Sequence, residues 1–165
     1  MIDVSGFGTG ITIVALQSFP MGFNLSQFAD DQDPLTAKDI SPTGYEMLYD
    51  GSLFAFDKAA PVEVAVSVIP GSDDDLNLKI LLQSKKSTPK ILPLPDITSM
   101  VITYPDNGRV ILSSGSILSG PVVDSITSAG RKKSNTYTFV FGTVTGAQSA
   151  KELLVGLAQS ALSIF

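Results

Sequence analysis

The chain contains no histidine, no cysteine and no tryptophan in 165 residues. Each absence closes a route. Histidine is the side chain whose ordinary pKa lies nearest neutrality, and with cysteine it supplies most zinc ligands. Without both, the commonest proton-transfer and zinc chemistries have no carrier. Without cysteine no disulfide can staple the fold, so a packed core must hold it. Without tryptophan, no aromatic-rich groove is evident to hold a sugar beside paired carboxylates. Positive charge is also scarce: 11 Lys and Arg stand against 16 Asp and Glu, for a net charge of −5. A phosphate-binding face needs clustered bases, so nucleic-acid binding is disfavoured.

What is present is apolar, small and β-branched. Apolar residues make up 44% of the chain, and the mean hydropathy is +0.28. The length fits one domain with a sizeable core, and the excess hydrophobicity points to surface buried against other subunits. The chain reads as a single domain over 1–165. It divides into an N-terminal strand and loop arm (1–34), a β core (35–146) with a helix at about 73–86, and a C-terminal helix (147–165).

Residues 10–17 read as a first strand bounded by glycines and by Pro20, and 19–34 as a loop anchored by Phe19, Met21, Phe23, Leu25 and Phe28 and ending in an acidic turn. A strand pair is expected next, Leu48 to Asp57 and Pro61 to Pro70, joined by Lys58-Ala59-Ala60. In the second of these Val62, Val64, Val66 and Val68 share one face, the signature of a half-buried strand. Gly71-Ser72 opens a helix. Ser72 caps it, Asp73 to Asp75 suit its positive end, and Asp75 completes an approximate capping box. Leu78, Leu81 and Leu82 form its buried stripe, with Leu76 and Ile80 alongside, and Pro89 ends it.

Pro89, Pro93 and Pro95 make 88–97 an extended crossing. Ile97 to Tyr104 then turns through Pro105-Asp106-Asn107-Gly108 into Arg109 to Ser114, followed after Gly115 by a separate strand, Ser116 to Ser125. Gly120 and Pro121 suggest a bulge or an edge there. Thr136 to Val144 is the last strand, with Tyr137, Phe139 and Phe141 on one face. Ala147 to Ile164 forms an amphipathic helix with Ala150, Leu154, Leu157, Ala161 and Ile164 in one stripe. The fold class is mainly β (α+β): an antiparallel sandwich or barrel with one internal helix packed on it and a C-terminal amphipathic helix.

No secretory leader is expected, since Met1-Ile2-Asp3 gives no basic start and Gly6, Gly8 and Gly10 break any apolar core. Membrane insertion is not expected either, because Lys151, Glu152, Gly156 and Gln159 interrupt the terminal helix.

Four groups could carry chemistry, and each has a plainer reading. Asp30-Asp31-Gln32-Asp33 and Ser72-Asp73-Asp74-Asp75 lack the alternating ligand spacing of a calcium loop, and read as a solvated turn and a helix start. Gly6-Phe7-Gly8-Thr9-Gly10 precedes a strand and lacks a following Lys-Ser/Thr, so it reads as an arm rather than a phosphate loop. Glu46, Asp50, Asp57 and Glu63 could pair as glycosidase carboxylates, but an acidic surface supplies such pairs by chance. Arg131-Lys132-Lys133 reads as a solvated turn between strands. No catalytic, cofactor-binding or metal residues are expected, no cofactor is implied, and the chain does not read as an enzyme.

One resemblance covers about 40–145. Asp50-Gly51-Ser52 leads into a strand; the valine strand at 62–68 enters Pro70-Gly71-Ser72-Asp73-Asp74 and a Leu-rich helix; paired strands follow; Arg131-Lys132-Lys133 precedes Thr136-Tyr137-Thr138-Phe139. In order and spacing this resembles the tail tube proteins of tailed bacteriophages and, more distantly, the tube proteins of contractile injection systems. The resemblance implies a structural virion protein made in a host cytoplasm. Hexameric rings would stack into a tube, with sheath or baseplate proteins as partners and DNA passing the lumen without specific binding. Acidic and small polar groups lining that lumen would let DNA slide. Two alternatives stand beside it: a tube-initiator ring of the baseplate, and a β-sandwich adhesin or carbohydrate-binding module.

Overall fold

The structure, a computed structural model, describes residues 8–85, 96–105, 108–145 and Leu162. Residues 1–7, 86–95, 106–107, 146–161 and 163–165 are not described, so the expected arm before Gly8 and the expected C-terminal helix (147–165), apart from Leu162, lie outside the described residues.

Among the described residues, nine strands and one helix follow in the order β1 (Gly10–Ala15), β2 (Phe19–Leu25), β3 (Leu35–Ala37), β4 (Thr43–Met47), β5 (Leu53–Asp57), β6 (Val62–Val68), α1 (Asp73–Lys85), β7 (Thr98–Thr103), β8 (Arg109–Ser119) and β9 (Asn135–Thr145). Seven strands form one curled antiparallel sheet, a half-barrel ordered β2-β1-β7-β8-β9-β6-β3, while β4 and β5 pair only with each other. The expected class, mainly β and antiparallel with one internal helix, is the one found.

The core lies on one face of the sheet and under α1. Ile11 and Ile13 oppose Ile102 and Met100, and Val64 and Val66 oppose Phe139 and Tyr137. All eight side chains are buried, with Leu78 and Leu81 of α1 packed into the same cluster. The period-two reading of β6 and β9 therefore holds: strands alternate, and one parity of each faces the core. On α1, Leu82 is partly buried, whereas Leu76 and Ile80 are exposed and do not join the stripe. A helix presents only one narrow face to a sheet, and Leu78 and Leu81 already fill it.

Three expectations are corrected. The expected loop at 19–34 begins as strand β2, because an edge strand tolerates the residues that looked like breakers. Pro20 lies on the outer edge, and Gly22 adopts φ +75° where β2 bulges past Val14. The expected pairing of 48–57 with 61–70 does not form: β5 pairs back onto β4, and β6 lies between β9 and β3. The break expected at Gly115 is absent, and β8 runs unbroken through it. A Cβ on Gly115 would stand 2.2 Å from Cδ1 of Phe141, so glycine here marks a close approach to the ring rather than a turn. Beside it Ser114, at φ 56°, occupies the bulge that offsets β8 from β7.

Three buried aspartates tie loops to this frame. Asp74 accepts hydrogen bonds from the Ser26 and Gln27 N–H groups at 2.7 and 2.8 Å. Asp96 accepts from Gln17 and Ser18 at 2.9 and 3.1 Å, holding the β1–β2 turn. Ser72 caps α1 as expected, its hydroxyl accepting from Asp75 N–H at 3.2 Å, while the Asp75 carboxylate accepts from Gly71 N–H at 3.0 Å.

Candidate assembly surface

Among the described residues, the β4–β5 hairpin concentrates exposed large apolar side chains. Its turn is well built. Gly51 takes φ +87°, and the Asp50 carboxylate accepts from the Ser52 N–H at 2.9 Å and from its hydroxyl. Those two bonds hold the Asp50 carboxyl below its ordinary pKa. At the root, Lys58 N–H donates to the Pro42 carbonyl at 2.8 Å. Gly44 is required inside, because a Cβ there would meet the Phe56 ring at 2.4 Å.

What the hairpin lacks is a polar face. Its register pairs Gly44 with Phe56 and Glu46 with Phe54 on one side, and Tyr45 with Ala55 and Met47 with Leu53 on the other. Tyr45 is 72% exposed, Met47 64%, Tyr49 109%, Leu53 62%, Phe54 53% and Phe56 42%. Strands bearing apolar side chains on both faces belong in an interior. An isolated two-stranded hairpin is at best marginal in water. Taking about 200 Å² for a fully exposed large side chain, Tyr45, Met47 and Leu53 present roughly 400 Å² on one face, and Phe54 and Phe56 roughly 200 Å² on the other. The first face alone matches the largest apolar patch of an ordinary monomer, about 300–600 Å² and often functional.

A polar cluster lies between α1, β9 and the loop before it. Asp75 accepts from Asn135 Nδ2 at 2.8 Å and from the Tyr137 phenol at 2.7 Å, and lies 3.3 Å from Lys79 Nζ. Lys79 also pairs with Asp124, which accepts from Asn135 at 2.9 Å and from Lys132 at 3.2 Å. Burial alone would raise the Asp75 pKa, but bonds from Asn135, Tyr137, Gly71 and Lys79 together hold it below the ordinary value. Hydrogen bonding from Lys79 and Asn135 drives the Asp124 carboxyl far below the usual range. Burial and then the Asp75 carboxylate push the Tyr137 phenol up, so it remains a donor. Every polar group here has its partner inside the fold, so the cluster fastens helix to sheet.

The other sequence-flagged residues are dispersed. Asp30 pairs with Arg131 at 2.6 Å, Asp31 accepts from the Ser134 hydroxyl, and Gln32 Oε1 accepts from Thr136 at 2.8 Å. The acidic turn and the basic run thus pin one another and are not merely solvated. Of the supposed carboxylate pairs, Glu46 lies in β4, Asp50 caps the turn, Asp57 ends β5, and Glu63 pairs with Lys38 at 3.3 Å. No group of three or more acidic side chains is placed to hold a metal ion among the described residues. Nor is any helix there long and apolar enough to cross a membrane.

The sheet face away from the core is lined by small side chains. Thr12, Ser99, Ser116 and Thr138 alternate with buried neighbours, interspersed with Val14, Val101, Val140 and Glu63. On it lies an open, mostly apolar depression of about 420 Å³, bounded by Pro61, Ile97, Ser114, Gly115, Val140 and Gly142.

Sequence reading missed the hairpin as a site. The available signal was the run Tyr45–Tyr49 and Leu53–Phe56, where apolar residues occupy both parities and the alternation seen in β6 fails.

No curated protein sequence matches the chain. Among solved structures it is similar to the sheath/tube terminator of an extracellular contractile injection system, PVC, in its extended state. The TM-score is 0.52 and the identity 12%, over 88% of this chain and 97% of that one. A chain of the anti-feeding prophage (AFP) baseplate gives a TM-score of 0.51 at 12% identity, over 88% of this chain and 95% of that one. At such identities the likeness is one of fold. The sequence itself matches the model of the family described as tail fiber protein gp32 over residues 2–145. That span includes every strand and the helix, and the chain belongs to the tail fiber protein gp32 family.

Proposed function

We propose that the chain is a structural subunit of a phage-tail-type particle. It self-associates into rings that form the tail tube or the ring that starts or closes it. The observation that carries this reading is the β4–β5 hairpin, apolar on both faces and bare in the single chain. The fold shared with a sheath/tube terminator and a baseplate chain supports a place at an end of the tube as much as within it. The small-residue sheet face of a chain that is acidic overall suits a lumen that repels DNA phosphates. Six subunits per ring is the number the tail tube resemblance implies.

The competing reading, a β-sandwich adhesin or carbohydrate-binding module, requires a stable monomer. Analytical ultracentrifugation separates the two. Rings or rods are expected for the wild-type chain, and Met47→Asp should dissociate them while circular dichroism stays unchanged. A wild-type chain that remains monomeric at high concentration overturns the proposal.

A further inference from the structure

Lys79 stands between two carboxylates that reach it from different parts of the chain. Asp75 lies one turn earlier on α1, 3.3 Å from Nζ, and Asp124 touches Nζ through Oδ1 from the loop that precedes β9. All are largely shielded from water: the Lys79 and Asp124 side chains are 17% and 18% exposed, and that of Asp75 2%. Each oxygen of Asp124 has a further donor. Asn135 Nδ2 bonds Oδ1 at 2.9 Å, and Lys132 Nζ bonds Oδ2 at 3.2 Å. Asp75 is fixed in turn by Asn135, Tyr137 and the Gly71 N–H. An amine against an acyl carbon whose two oxygens are both held, with a buried third carboxylate beside the amine, is the arrangement an amide condensation needs.

We infer that Lys79 and Asp124 condense into an intramolecular amide once the chain has folded. Nζ attacks Cγ of Asp124; the Nζ–Cγ bond forms, the Cγ–Oδ2 bond breaks, and Oδ2 leaves as water. Of the ammonium hydrogens, one passes to Asp75, one to Oδ2, and one stays as the amide N–H. The Lys132 ammonium supplies the other proton of the departing water, and Asp75 and Lys132 regain their starting forms through solvent. Asn135 donates to Oδ1, where charge gathers in the tetrahedral step. No activated co-reactant is consumed, because the fold holds the reacting groups together, an arrangement with an effective molarity of up to about 10⁵–10⁸ M. Shielding favours the product, since two charges held away from water are costly and the amide carries none. The bond would span 45 residues and enclose β7 and β8. It would restrict the unfolded chain as a disulfide does, in a protein that has no cysteine. The freshly folded chain holds the ion pair; the condensed chain has lost both charges, and neither residue titrates in it.

Intact-mass spectrometry of the full wild-type chain, freshly folded and after prolonged incubation at neutral pH, reads the step directly. The expected product is one water lighter than the sequence mass, and trypsin should release from it a branched peptide joining the segments around Lys79 and Asp124. A mass that stays at the sequence value overturns the inference. So does a dehydrated chain whose digest carries the loss elsewhere, as a succinimide at Asp50-Gly51 would. Lys79→Arg keeps the positive charge but not the reacting amine, and should hold the full mass with an unchanged circular dichroism spectrum. A Lys79→Arg chain that loses water as fast as wild type would also sink the assignment. These readouts concern a single chain, so they stand or fall apart from any assembly into rings.

Discussion

The Tyr137 phenol donates to the Asp75 carboxylate at 2.7 Å, a bond that joins the middle of the sheet to the first turn of its only described helix. Both side chains are buried, so neither can turn to water for a substitute partner. Tyr137→Phe should destabilise the fold by about 1.5–3 kcal/mol, the range for a hydrogen bond to a charged group. Thermal or urea unfolding of the two proteins checks this. A change below about 0.5 kcal/mol, the range of an ordinary surface substitution, would show that Asn135, Lys79 and Gly71 satisfy the carboxylate without it.

Stability should be flat between pH 5 and 9. No histidine is present to titrate there. Asp75, Asp96 and Asp124 have folded-state pKa values below their unfolded ones. Their contribution is complete above the unfolded value of about 3.9 and is lost as pH falls through the folded values. Lys79 is shifted the other way, its pKa raised by Asp124 and Asp75 against the effect of burial. Its contribution is complete below about 10.4 and is lost as pH rises through the folded value. Urea midpoints across pH 2–11 should trace a plateau with two shoulders. Asp96→Asn should soften the acid one. A midpoint that moves between pH 6 and 8 would contradict this account.

The two faces of β6 should respond oppositely to charge. Val66 is fully buried, whereas Glu63 is half-buried and pairs with the exposed Lys38. Val66→Asp should prevent folding, because it buries an unpaired carboxylate. Glu63→Gln should change stability by less than about 1 kcal/mol, the worth of an exposed ion pair. Equal melting shifts would reverse the face assignment.

Two glycines in strands should behave unlike one another. At Gly115 an added Cβ meets Phe141 at 2.2 Å and the Val140 carbonyl at 2.4 Å, while at Gly10 nothing lies within 4 Å. Gly115→Ala should cost about 1–3 kcal/mol or more through overpacking. Gly10→Ala should be neutral or slightly stabilising, up to about 1 kcal/mol. Denaturant unfolding of the pair measures the contrast.

Particular residues show what the sequence reveals and what it withholds. The core strands were legible because Val62 to Val68 and Tyr137 to Phe141 alternate, and burial on one sheet face demands that alternation. The helix start was legible because Ser72 and Asp75 act within four residues of each other. Strand partners were not. Nothing local distinguishes β5 pairing with β6 from β5 pairing with β4, and the choice depends on β9 taking the edge of β6. Pro20 and Gly115 misled for a related reason: a proline on an outer edge and a glycine under a ring suit a strand, but edge and ring are properties of the tertiary fold. The hairpin's exposure was hidden because its apolar residues resemble core until the core is seen to be complete without them.

The strand order also governs how the chain reaches its fold. β1 lies beside β7, and β6 beside β9, so each pairing spans some seventy to ninety residues. Long-range antiparallel pairings form slowly, because a large loop must close before any contact repays it. β9 is the seam, bonding β8 on one side and β6 on the other. Until it is in place the two halves of the sheet have no common strand. On a ribosome, at about 5–20 residues per second, β4 and β5 emerge several seconds before β9 can close the sheet. For that interval two apolar-faced strands and an unpartnered β6 edge coexist on one nascent chain, the combination most prone to premature association. Synthesis in quantity should accordingly depend on chaperone capacity, and slowed translation of the stretch between β6 and β9 should increase the insoluble fraction.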